Sequence, residues 1–163
     1  MTAELRSSVR LARAMDAEAI ALIYNQGIED RVATFETEPR TAGQMMALLR
    51  ERGDRYPSIV VERGGRVVAW ASAGAYRPRP CYAGIGECSV YVERAALAGL
   101  IAACQERGFW KLVSRVFPEN AASRAMCRAA GFREVGVYER HGRLDGVWRD
   151  CVIVEKLLDP GEN

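Results

Sequence analysis

The stretch Gly86–Gly108, GECSVYVERAALAGLIAACQERG, constrains the fold more than any other part of the chain. Its first part, ECSVYV, reads as a buried strand. Its second, AALAGLIAACQERG, reads as an amphipathic helix closed by Gly108 at its C-terminal end. The two meet at Val92-Glu93 with neither glycine nor turn residue between them. Connections of this kind usually take roughly 2–6 residues, so the joint is geometrically severe.

The surrounding pattern supplies the other elements. Val9–Arg13 alternates apolar and polar residues as a strand does. Asp16 is expected to cap a helix that runs to about Glu29 with Ile20, Ile23, Tyr24 and Gly27 on one face. Thr41-Ala-Gly-Gln44 fits a capping box ahead of the stripe Met45, Leu48, Leu49. SIVVERGGRVVAWASA reads as a hairpin turning at Gly64-Gly65, followed by the Pro/Gly-rich loop AYRPRPCYAGIG. FWKLVSRVF is a further strand, Asn120 caps a helix that stops at Gly131, and REVGVYERHG and VWRDCVIVEKLL are the last two strands. The order is β-α-α-β-β-β-α-β-α-β-β, a layered α+β or α/β domain.

The 163 residues suit one domain, and 49% apolar content is enough for a core. A formal charge of +2 argues for neither a nucleic-acid nor a membrane partner. No apolar run approaches the roughly 20 residues of a membrane span, and MTAELRSSVRLAR has no apolar signal region. The five cysteines are scattered and form no C-x-x-C, and His141 is the single histidine. Reduced thiols in a cytoplasmic protein, with no metal site, are the expectation.

ECSVYV, SRVFPENAASRAMCRAAGFREVGVY and HGRLDGVWRDCVIV together resemble the GNAT superfamily of acetyl-CoA-dependent N-acetyltransferases. IYNQGIEDRVATFETEPRT and YRPRP narrow the resemblance to the phosphinothricin acetyltransferase family, which includes relatives acting on methionine sulfoximine and arsinothricin; the sequence looks nearest the arsinothricin-type branch. The resemblance runs from about Val9 to Leu158, so residues 1–163 are expected to form one GNAT domain with a core of about 9–158. It implies a mixed, mostly antiparallel, twisted sheet of about seven strands flanked by about four helices. It also implies acetyl-CoA as co-substrate, a small amino-acid-like substrate and a homodimer. The aromatic residues Phe109, Trp110 and Trp148 could serve that dimer or the core equally.

The resemblance also exposes a departure. Family members carry a glycine-rich loop between this strand and helix, whose backbone N–H groups meet the pyrophosphate of CoA ahead of a helix N-terminus. On the order of ten residues are absent here, the glycines among them. Either the loop is truly deleted, or the sequence leaves out a mobile segment of the natural protein. The second is the expectation, because a phosphate loop without phosphate is often disordered.

Amine acetylation needs a base for the substrate ammonium, hydrogen-bond donors for the oxyanion and a competent leaving thiol. Glu87 matches the family's proposed general base; it is otherwise a solvated carboxylate at a strand end. Alternation places Glu87, Ser89 and Tyr91 on one face of their strand and Cys88, Val90 and Val92 on the other. The backbone of Val90, Tyr91 and Val92 would meet pantetheine, and Asn120 and Ser123 would contact CoA, although Asn120 is also a plain helix cap. Cys127 stands where many GNAT enzymes place a tyrosine acid, so no tyrosine acid is assigned. Arg77 and Arg79, with Tyr82 following, suit a carboxylate or phosphinate because guanidinium forks bind such groups bidentately; a solvated loop is the alternative. Phe35 would wall the pocket by resemblance, and alone reads as core. His141 is either a second catalytic group, as the family places one in this region, or structural. Acetyl transfer to the α-amine of a small acidic amino-acid analogue, by direct attack in a ternary complex, stands against two alternatives. One is a GNAT-like binding or regulatory protein without a working CoA loop; the other is an acetyltransferase of protein N-termini.

Overall fold

The computed structural model describes residues 7–159. The first six and last four residues of the expected 1–163 domain, including the start of MTAELRSSVRLAR, lie outside them. The elements are β1 (Ser7–Leu11), α1 (Ala17–Glu29), α2 (Ala42–Arg52), β2 (Ser58–Arg63), β3 (Arg66–Ala75), β4 (Ile85–Tyr91), α3 (Arg94–Glu106), β5 (Lys111–Val116), α4 (Ala121–Ala129), β6 (Arg133–Leu144) and β7 (Val147–Leu157). Their order is the one expected. β1 starts and ends two residues earlier than its alternation suggests.

All seven strands form one sheet in the order β1-β2-β3-β4-β5-β7-β6. Only β4 and β5 are parallel, which is the mixed, mostly antiparallel GNAT arrangement. Side-chain alternation sorts the sheet's two faces. Ile59, Val61, Ala69, Ala71, Ala73 and Cys88 pack under α3, against Leu97 and Leu100. Val60 and Trp70 point the other way, toward Ile20 of α1 and Met45 of α2. Gly27 of α1 leaves room for the Tyr91 ring: a Cβ there would lie 2.9 Å from it.

The local devices follow the sequence with one exception. Gly64 and Gly65, at φ +57° and +76°, turn the two-residue β2–β3 hairpin. Thr41 and Gln44 close the reciprocal capping box of α2, at 2.8 and 3.2 Å. Asn120 Oδ1 accepts from Ser123 N at 3.1 Å at the start of α4. Asp16, however, makes no side-chain cap for α1. It is buried, and its carboxylate accepts from Arg10 at 2.7 and 2.9 Å and from the Arg13 backbone at 2.7 Å. Arg10 also reaches Glu62 at 2.9 Å. A buried carboxylate is better satisfied by a guanidinium than by one helix N–H, which explains the change of role.

These bonds, Arg10 first, hold the Asp16 carboxyl below the ordinary carboxylate range. Because the folded-state value is depressed, the stabilisation is present above the unfolded value of about 4 and is lost as pH falls below it. Asp16→Asn is expected to cost about 3 kcal/mol at pH 7. Denaturant titrations of both proteins at pH 7 and pH 3 check this, with the gap between them narrowing at pH 3.

Candidate active site

β4 and β5 pair only from Ile85–Lys111 to Glu87–Val113. One residue further, the Ser114 hydroxyl donates to the Cys88 carbonyl at 2.8 Å. Beyond it the strands diverge while β3 continues to pair β4 as far as Tyr91. A cleft opens there, lined by Ser89, Val90, Tyr91, Ser114, Asn120 and Ser123. The β5-facing backbone edge of Ser89–Tyr91 therefore lies along a groove with no strand partner, which suits an extended amide-bearing chain. Asn120 joins the groove to the α1–α2 connection: while its Oδ1 caps α4, its Nδ2 donates to the Val32 carbonyl at 3.0 Å. Cys127 lines the same groove, and burial raises its thiol pKa, so it stays protonated.

One face of β4 carries Glu87, Ser89 and Tyr91. Register pairs Trp70 with Tyr91, Ser72 with Ser89 and Gly74 with Glu87, and each pair shares one face. Trp70 and Tyr91 stack at 5.4 Å, and Tyr24 meets Tyr91 edge-on at 5.5 Å. Burial keeps both tyrosine phenols protonated. Under α2 lie a cavity of about 270 Å³, walled by Tyr24, Arg52, Trp70 and Tyr91, and one of about 390 Å³, walled by Arg52, Gly74 and Glu87. A third, of about 240 Å³, lies between Phe35, Glu87, Arg115 and Phe117. Ser89 borders all three and the β4–β5 groove as well, so it marks the crossing of the two sides. Glu87 is half-buried beside it, with Arg115 donating to its Oε1 and no hydrogen-bond partner on Oε2 among the described residues.

The structure thus brings together Glu87, Val90, Tyr91, Asn120, Ser123 and Phe35, the last packed edge-on against Phe117 at 4.8 Å. Arg77, Arg79 and Tyr82 stand apart in the loop after β3. Arg77 lies over Tyr76 at 4.7 Å and Arg79 over Tyr82 at 6.0 Å, both exposed and lining none of these cavities. His141 is exposed on β6 against Tyr138, at 4.9 Å, and lines none of them either. Val92 is 72% exposed with φ +90°, an unfavourable conformation for a β-branched residue, and the backbone passes from β4 to α3 through it and Glu93 alone. Glu93 gives α3 no side-chain cap; its carboxylate pairs with Arg63 at 2.7 Å. The first-turn N–H groups of α3 therefore lack a capping side chain, as an anion-binding helix end would.

This sheet, with one parallel pair splayed around a groove, is that of the GNAT acetyltransferases. A ribosomal-protein-alanine N-acetyltransferase from Brucella melitensis superposes with TM-score 0.88 at 33% identity, over 93% of this chain and 99% of that one. A phosphinothricin acetyltransferase from Sinorhizobium meliloti, solved in complex with acetyl-CoA, superposes with TM-score 0.84 at 29% identity, over 95% and 90% of the two chains. Among characterised sequences, phosphinothricin N-acetyltransferase of Alcaligenes faecalis is 32% identical over 95% of this chain and 84% of its own length. The L-methionine sulfoximine/L-methionine sulfone acetyltransferase of Pseudomonas aeruginosa is 29% identical over 96% and 97%. No family model matches the chain. The chain belongs to the phosphinothricin N-acetyltransferase family of the GNAT superfamily, and it is an acetyl-CoA-dependent N-acetyltransferase.

The alignments also show a difference in length. Some 95% of this chain, about 155 residues, aligns with the Alcaligenes protein over 166 positions. The Pseudomonas alignment is longer than its share of this chain by a similar margin. Both relatives thus carry about ten residues that this chain lacks.

Proposed function

We propose that this enzyme transfers acetyl from acetyl-CoA to the α-amine of a small acidic amino-acid analogue of the phosphinothricin, methionine sulfoximine or arsinothricin type. The observation that carries the reading is the meeting of groove and cavities at Ser89, one residue pair from Glu87. Acetyl-CoA supplies an acetyl thioester whose thiol, with a pKa near 8.5, leaves without strong assistance. In a ternary complex, Glu87 takes a proton from the substrate ammonium, directly or through one water. The free nitrogen attacks the carbonyl carbon, and a backbone N–H among Val90, Tyr91 and Val92 donates to the oxygen as charge builds on it. Asn120 and Ser123 hold the far wall of the groove, and Phe35 closes the cavity beside Glu87. Arg77 and Arg79, with Tyr82, stand outside the cavities in the loop between β3 and β4, and their charge draws an anionic substrate toward the site. His141 stays the candidate second catalytic group, carried on β6 next to Gly142, which meets the Phe35 ring.

A homodimer is also proposed. β6 is an edge strand, and it and the neighbouring β7 expose Val135, Val137, Tyr138, Val147 and Trp148. One domain over 1–163 and a cytoplasmic location complete the proposal; no helix among the described residues is long and apolar enough to cross a membrane.

A second reading has one observation in its favour, the 33% identity to a protein named for acetylating ribosomal-protein alanine. Initial rates of thiol release from acetyl-CoA, with arsinothricin, phosphinothricin, methionine sulfoximine and a peptide amine, separate the two. Turnover of the glutamate analogues and not of the peptide is expected. Turnover of the peptide alone would reverse the assignment.

A further inference from the structure

Three cations line the cavities around Glu87: Arg40, Arg52 and Arg115. Arg115 is paired with Glu87, and Arg40 with Glu36 at 3.6 Å. Arg52, the last residue of α2, has no anion within 4.0 Å among the described residues. Its Nη1 is buried without a hydrogen-bond partner. Two other arginines also bury an unpartnered nitrogen, but Arg31 and Arg149 each have a carboxylate, Asp145 and Glu119. A guanidinium taken out of water with nothing to bond is costly and calls for a partner the protein does not itself supply.

The position of Arg52 indicates that partner. Its guanidinium lies over Gly74, with Nη2 3.6 Å from where a Cβ would stand. Gly74 is the register partner of Glu87, so guanidinium and carboxylate occupy the same face of the sheet. Arg52 borders both cavities under α2, and Ser89 borders them with it. Burial lowers the pKa of Arg52, consistent with a cation poorly compensated by its surroundings.

We propose that Arg52 binds the α-carboxylate of the amino-acid substrate. The role rests on the acetyl-transfer reading above and adds a specificity determinant to it. In an amino acid the carboxylate and amine share one α-carbon, so a cation on the same face as Glu87 can hold the first while Glu87 faces the second. Selectivity for amino acids over simple amines comes from Arg52, because an amine without a carboxylate leaves the guanidinium unpaired.

The test compares methionine sulfone with the amine obtained by removing its carboxylate, in wild type, Arg52→Gln and Arg52→Lys. Wild type should prefer the amino acid. Arg52→Gln should raise KM for the amino acid by roughly 10–100-fold, change kcat/KM for the amine by less than about 3-fold, and so erase the preference. Arg52→Lys should restore part of it. The thermal midpoint of Arg52→Gln should be unchanged or raised, whereas a structural arginine would lower it. Equal losses on both substrates, or a preference that survives in Arg52→Gln, would overturn the role of Arg52 and leave the acetyl-transfer reading standing. A wild type that acetylates neither compound would overturn both.

Discussion

Glu87→Gln is expected to lower kcat for acetyl transfer by about 10²–10⁴-fold, the usual range for loss of a positioned base, with acetyl-CoA binding within about 2-fold of wild type. Gln keeps the length and planarity of the side chain. It still offers an oxygen to Arg115, which bonds Glu87 Oε1. What it loses is the ability to accept the ammonium proton at physiological pH. The groove residues Val90, Asn120 and Ser123 sit on the far side of Ser89, so the donor site should not register the change. Single-turnover thiol release and calorimetric titration with CoA measure the two quantities separately. A kcat within 3-fold of wild type would remove Glu87 from the chemistry and leave water as the proton acceptor. Arg115→Gln offers a useful comparison: it removes the ion pair but keeps the carboxylate, so its effect should be far smaller.

The second large effect is expected from lengthening the chain at Val92-Glu93. Inserting a ten-residue glycine-rich connection of the family type there should tighten CoA binding by about 10-fold or more, by adding backbone N–H donors to the pyrophosphate ahead of α3. It should also release Val92 from φ +90°, a strain of about 1–3 kcal/mol, and so raise stability or leave it unchanged. As it stands, the joint offers the first turn of α3 and, at its cap, a carboxylate held by Arg63. That carboxylate would repel a phosphate. Unchanged affinity after the insertion would mean that the groove and the end of α3 already provide all the grip that CoA has.

The elements that the sequence reveals here are those with a local cause. The Gly64-Gly65 turn, the Thr41–Gln44 box and the Asn120 cap each depend on residues within a few positions, and each has the expected geometry. Asp16 was misleading because its partner, Arg10, lies in a different element, and a buried ion pair outweighs a cap. The β4 half of the site is legible for the same reason as the turns: a period of two assigns Glu87, Ser89 and Tyr91 to one face. Arg52 could not be identified as a site residue from charge alone, because an arginine in the last turn of a helix ordinarily interacts with the helix dipole and solvent. One signal was present: Arg52 follows Met45, Leu48 and Leu49 at helical spacing, so it extends the apolar stripe that faces the sheet. Arg77 and Arg79 illustrate the opposite case. Their chemistry suits the substrate, yet their side chains stack on Tyr76 and Tyr82, and no sequence pattern reveals where a loop side chain will rest.

The alternation along β4 determines where this protein can tolerate a change in length. Residues that face the cavities under α2 and residues buried under α3 follow one another singly along the strand, so adding or losing one residue before Glu87 would exchange Glu87 with Cys88, and Ser89 with Val90. The same change after Tyr91 moves none of them. The joint with α3 is therefore the nearest point to the chemistry at which a lineage could gain or shed a loop and keep every side chain of the strand on its own side.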